Sequence, residues 1–144
     1  MHIASIAFNN NDPVPPRYKG STNPPLDISG VPDKAKSLAL IMHDPDGVSG
    51  DYTHWTLWDI DPRTPTILEG SLPPGAIAGP TSAGTPGYIG PKPPEGSGRH
   101  HYIFELYALD TKLDLLPATS VADLRTHIAR HTIEKTELIG VVDA

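Results

Sequence analysis

The sequence contains no cysteine. Disulfides, thiolate metal sites and a cysteine nucleophile are therefore excluded. It is also short of positive charge, with 11 Lys and Arg against 17 Asp and Glu, a formal net charge of -6. Binding to a nucleic-acid backbone needs a basic footprint, so nucleic acid is not expected as the main partner. A small anion held by a few local donors is still allowed. No apolar run approaches the roughly 20 residues that cross a bilayer. Met1 to Asn11 lack the basic start and long apolar stretch of a signal peptide. The expectation is a soluble, cytoplasmic protein that is not transmembrane.

Several chemical signatures are missing as well. There is no P-loop, no dinucleotide fingerprint and no H-E-x-x-H. Ser49 and Ser97 lie in Gly-flanked loops, but neither fits G-x-S-x-G in a strand-to-helix context. A calcium loop starting at Asp44 would need Asp or Asn in place of Val48, Gly in place of Ser49 and Glu in place of Trp55. His100 and His101 are adjacent, so on a strand they point to opposite faces and make poor metal co-ligands. These absences favour a non-enzymatic protein with no metal and no cofactor.

With 144 residues the chain suits a single domain, 1–144, large enough to bury roughly two-thirds of its unfolded surface. Ser37 to His43 alternates with apolar residues on both faces, which predicts a central strand covered on both sides. Thr53 to Ile60 predicts a second strand, with His54, Thr56, Trp58 and Ile60 on one face. Tyr102 to Leu109 predicts a third. There His100, Tyr102, Phe104 and Leu106 share one face, and His101, Ile103, Glu105 and Tyr107 share the other. Glu134 to Val142 predicts a final strand. One helix is expected from an N-cap at Ser120 to near His131, with Val121, Leu124, Ile128 and Ala129 as its apolar stripe. Strands separated by Gly/Pro turns, with one late helix, predict a mainly β fold with an antiparallel or mixed core.

The long segment Gly70 to Gly98 is rich in Gly and Pro. Glycine lets a ligand approach the main chain, and proline stiffens the same loop, so the segment suits a binding wall. It leads into His100 and Tyr102. With Asp44, Asp46 and His54 these form a candidate set at strand ends, where sites tend to be built on a rigid scaffold. Imidazole N–H and phenol O–H groups donate to an anion, and a neighbouring aspartate fixes a histidine tautomer.

Asp44-Pro45-Asp46, then His54-Trp55, then Gly87-Tyr88-x-Gly90-Pro91-x-Pro93-Pro94-x-Gly96, then His100-x-Tyr102 resemble the phosphatidylethanolamine-binding protein (PEBP) family. The four motifs occur in order, and the likeness runs from about Pro16 to Val141. The bacterial and archaeal Raf kinase inhibitor-like branch is the most similar. The resemblance implies a β-sandwich with Greek-key character, a peripheral C-terminal helix and a small anion pocket at one end. It implies that Asp44, His54, His100 and Tyr102 line that pocket, and that Gly90, Pro91, Pro93 and Pro94 belong to its backbone wall. The implied ligand is phosphate, a phospholipid head group or a carboxylate. The implied alternative is a regulatory protein that inhibits a kinase or protease through the pocket face. Val48 and Lys92 depart from residues common in relatives and bear on the shape of the rim.

Strand alternation separates the roles of the two adjacent histidines. His100→Ala should weaken ligand binding, and His101→Ala should leave it nearly intact. Equal losses in a titration of both variants would refute the assigned register.

Overall fold

A computed structural model describes all residues, Met1–Ala144. The strands are β1 (His2–Ala4), β2 (Asp12–Pro13), β3 (Leu26–Ser29), β4 (Ser37–Asp44), β5 (Tyr52–Ile60), β6 (Thr66–Ile67), β7 (Ile77–Ala78), β8 (Arg99–Leu109) and β9 (Thr132–Asp143), with helix α1 (Val121–His131) before β9. They form a three-stranded sheet, β1-β3-β6, and a six-stranded sheet, β2-β9-β8-β4-β5-β7. Only the short β2–β9 pairing is parallel.

The two sheets face each other across the main core. Ile3, Leu26, Ile28 and Ile67 from the small sheet pack with Leu38, Leu40, Met42, Phe104 and Leu106 from the large one. Residues of opposite parity, Ala39, Ile41, Tyr107 and Leu109, form a smaller cluster with Leu124 and Ile128 of the helix. β4 is thus covered on both sides, as its two apolar faces predict. The helix is peripheral because it shields only the outer face of one sheet. Ser120 caps it by accepting from the Asp123 amide, at 3.1 Å. Of the expected stripe only Leu124 and Ile128 are buried; Ala129 is exposed.

The expected faces of β5 require correction. Trp55, Leu57 and Ile60 enter the main core, whereas Trp58 packs under the helix. Thr56 shares the Trp58 side, since both crowd the same spot beside Gly79. Two register shifts against β4 cause this. Leu38 pairs with Ile60 but Leu40 with Leu57, and Met42 pairs with Trp55 but His43 with Thr53. Each inserts one extra residue into β5, which bends the strand and re-aims side chains. Near the first, Asp59 has a φ of 53°. Aspartate tolerates that left-handed conformation, and its carboxylate accepts from the Leu113 and Asp114 amides at 2.8 and 3.1 Å. The second extra residue is His54, which is thereby turned toward the core side.

Topology brings the site together. β4 runs antiparallel to both neighbours, so its last residue, Asp44, lies beside the starts of β5 and β8. Ser120→Ala should cost about 1 kcal/mol, the usual value of such a cap. Denaturant unfolding would measure it. Ligand affinity should not change, because the helix lies on the far face of the sheet.

Candidate functional site

At the end of the sandwich a cleft of about 540 Å³ is lined by Asp44, Tyr52, His54, His100 and Tyr102, with the loops around Gly47–Asp51 and Ile89–Pro94 as walls. That volume suits a small molecule. The His54 and Tyr102 rings are 5.2 Å apart edge to face, and His100 stacks 6.4 Å from Tyr102. The Tyr52 ring lies 4.8 Å from that of His54. The four floor residues are almost fully buried: Asp44 at 4%, His54 at 6%, His100 at 2% and Tyr102 at 1% exposure.

The two floor histidines are bonded differently. His54 Nδ1 lies 2.6 Å from the carbonyl of Ile89. A carbonyl only accepts, so the hydrogen sits on Nδ1. Neutral His54 therefore has a bare lone pair on Nε2, which makes no hydrogen bond within the protein. Burial lowers the pKa of His54 below its ordinary value, and this outweighs the Ile89 bond and the attraction of Asp44. His100 has no free nitrogen. Its Nδ1 is 2.6 Å from Asp44 Oδ2, and its Nε2 is 2.9 Å from Ser97 Oγ. Asp44 Oδ1 also accepts from the Asp46 amide at 2.7 Å. Burial, the nearby Asp44 charge and a hydrogen bond to Asp44 push the Tyr102 phenol well above its ordinary range.

Asp44, His54, His100, Tyr102, Gly90, Pro93 and Pro94 all line the cleft. Asp46 does not. Its carboxylate accepts from the His101 amide and ring at 2.8 and 2.7 Å, which holds it below the usual carboxylate range. Asp46 serves the cleft only through its amide. Pro91 is buried and contributes to a separate shallow groove with Lys19 and Val142.

The wall needs its glycine. A Cβ on Gly90 would lie 2.4 Å from the Tyr18 carbonyl oxygen and 2.5 Å from the Lys19 carbonyl carbon. The Gly90 amide donates to Gly20 at 2.8 Å, and the Tyr88 hydroxyl to Tyr18 at 2.7 Å. The wall is thus strapped to the segment following the 3-10 turn Pro16–Tyr18.

Sequence reasoning missed Tyr52 and the structural role of Ser97. The signal for Ser97 was its place three residues before His100, between two glycines. Asp44, His100 and Ser97 have the connectivity of a hydrolytic triad. However, Ser97 Oγ also donates to the Pro94 carbonyl at 2.6 Å, and Ser97 does not line the cleft. This chain of bonds buttresses Asp44; it does not aim a nucleophile at a ligand.

Behind the cleft, His43 points to the helix side. Its Nδ1 is 2.6 Å from Asp51, in the cleft wall, and its Nε2 is 3.4 Å from Glu105. Glu105 also meets Tyr107, Arg125 and Lys135, at 3.0, 3.2 and 2.9 Å. Burial raises the Glu105 carboxyl, but its bonds to His43, Lys135 and Tyr107 win and hold it far below the usual range. Burial lowers His43, but Glu105 and Asp51 outweigh it and the net shift is upward.

The domain is thus a mainly β sandwich with a small polar cleft at its strand ends. The sequence profile described as phosphatidylethanolamine-binding protein matches residues 4–143, and the chain belongs to that family. It is 43% identical to a "UPF0098 protein" of Methanothermobacter thermautotrophicus, over 98% of this chain and 97% of that one. A PEBP homologue from Chlamydia trachomatis has the same fold, with a TM-score of 0.92, 33% identity, and coverage of 99% and 96%. So does Escherichia coli YbcL, with a TM-score of 0.93, 26% identity, and coverage of 99% and 98%.

The raised His43 value sets a pH dependence. The folded state binds this proton more tightly than the unfolded state, so its contribution is complete below about 6.5 and fades as pH rises through the folded value. His54, shifted downward, acts with the opposite sign below that pH. The denaturation midpoint of the wild type minus that of His43→Gln should therefore shrink from about pH 6 to pH 8. A constant difference would refute the His43 assignment.

Proposed function

We propose that the protein is a non-enzymatic binding module for a small anion, a phosphate, a phospholipid head group or a carboxylate, held at the Asp44, His54, His100 and Tyr102 floor. The observation that carries this reading is the His54 ring. It is more than nine-tenths buried, is fixed through Nδ1, makes no protein hydrogen bond through Nε2, and meets the Tyr102 ring edge to face at 5.2 Å. Protonated His54 and the Tyr102 hydroxyl both donate to an oxyanion. Lys92 is the single Lys or Arg among the lining residues and adds a cation at the rim. His100 acts by holding Asp44 and shaping the floor.

A regulatory role, inhibiting a kinase or protease through the cleft face, is the alternative, with the cleft reading a phosphorylated or carboxylated residue of the partner. We also propose a cytoplasmic location. The cysteine-free sequence fits a reducing compartment, and no helix is long and apolar enough to cross a membrane.

Mass spectrometry of what co-purifies should reveal a small phosphorylated or carboxylated molecule. A stoichiometric protein partner would favour the regulatory alternative, and turnover of an ester panel would overturn the non-enzymatic reading. In calorimetric titrations with a phosphate monoester, Tyr102→Phe and His54→Ala should each weaken binding roughly tenfold or more, as loss of a hydrogen bond to a charged group predicts. Unchanged affinity in both variants would sink the site.

A further inference from the structure

The floor of the cleft is unusual for an anion site because it is rich in acceptors. Asp44 presents a carboxylate, which only accepts when ionised. Its oxygens already take protein hydrogen bonds from His100 and from the Asp46 amide, and the Tyr102 hydroxyl is directed at them as well. Each retains further acceptor capacity, because a carboxylate has about four lone-pair sites. Neutral His54 presents a second acceptor, the Nε2 lone pair, since Ile89 fixes its hydrogen on Nδ1. The Tyr102 hydroxyl is the donor at this depth, and in the free protein it is directed at Asp44, so an incoming oxyanion must share it. A fully ionised oxyanion would meet two acceptors here, one of them the Asp44 carboxylate beside the His100 ring. An oxyanion that keeps one hydrogen matches the floor, giving that hydrogen to Asp44 or His54 and accepting from Tyr102.

The groups facing His54 are consistent with this. From β4 comes Asp44, from β8 come His100 and Tyr102, from the loop before β5 comes Asp51, and Tyr52 and Lys92 also line the cleft, while His43 acts on the ring from behind the sheet. The nearby carboxylates favour a proton on the imidazole and burial opposes it, so the free site is poised to take up a proton with its ligand.

We propose that the cleft selects oxyanions that carry a transferable proton, phosphate monoesters and phosphonates, over sulfate monoesters of the same shape, with Asp44 as the residue that sets the preference. This rests on the anion-binding reading above and names its ligand class. A sulfate monoester has the same tetrahedral head and a single charge, but no hydrogen to offer at neutral pH. A phosphate monoester has its second ionisation near pH 6, so it either keeps its hydrogen or recovers one on binding. The recovered proton comes from the buffer and is held on the ligand oxygen, which donates it to Asp44, or on His54 Nε2.

Phenyl phosphate and phenyl sulfate provide the test. At about pH 6, where roughly half of the phosphate ester carries one charge, the phosphate should bind at least roughly tenfold tighter. Calorimetry at about pH 7.5 in buffers of different ionisation heat should show uptake of nearly one proton for phenyl phosphate. Asp44→Asn supplies an N–H donor and should narrow the preference by strengthening the sulfate. The wild-type proton count remains decisive if that variant fails to fold. Equal affinity of the two esters, or no proton uptake, would overturn the inference while leaving an anion site in place. If neither ester binds at millimolar concentration, the anion-binding reading falls with it.

Discussion

Burying a carboxylate at the end of a sheet is costly unless hydrogen bonds replace the lost water. Asp44 imposes that requirement, and much of the surrounding chain meets it. His100 supplies a ring nitrogen from the start of β8, and the turn after Pro45 supplies the Asp46 amide. His100 is in turn held by Ser97, and Ser97 by Pro94, so the bond chain runs from the sheet into the Pro-rich wall. Removing His100 would strand a buried charge, which costs far more than losing a contact. Glu105 poses the same problem on the opposite face and is answered by His43, Tyr107, Arg125 and Lys135. The central strands thus carry one satisfied carboxylate per face. One borders a cleft and the other lies beside the helix.

Satisfying Asp44 through His100 leaves His54 as the floor histidine with a nitrogen to spare. That depends on one irregularity of β5. Trp55 packs in the main core opposite Met42, so strict alternation would put His54 on the other face, the side of His43. The extra residue between the Met42 and His43 pairings removes that alternation and brings the ring against Tyr102. A one-residue bulge therefore decides whether the cleft has its partnerless imidazole.

Elements with a strong periodic pattern were legible in the sequence. β4, β8 and the helix fall close to where alternation and the Ser120 cap place them, because each depends on local pattern alone. The division between His100 and His101 was legible for the same reason, since β8 pairs without interruption through this region. The faces of β5 were not, because a bulge is a property of two paired strands and leaves no mark in one strand's composition. The fate of Asp46 was hidden too. Asp44 and Asp46 look equivalent in sequence, but the Pro45 turn separates them, and Asp46 meets His101 on the outward face. That pairing joins residues 55 apart and no local rule foretells it.

The wall and the floor are stiffened by different means, and the difference bears on how the cleft works. Tyr88 to Gly90 is tied to backbone at Tyr18 and Gly20, and Ile89 also orients His54. One short segment therefore fixes both the width of the opening and the tautomer of the floor histidine. The Gly47–Asp51 wall is held instead by an ion pair, from Asp51 to His43, whose strength depends on a proton. Coupling between sites needs an element with two arrangements that both sites bias, and a strapped loop provides none. On the Asp51 side a single imidazole joins the wall to the Glu105 cluster, so that wall carries a proton-dependent tie to the far face of the sheet.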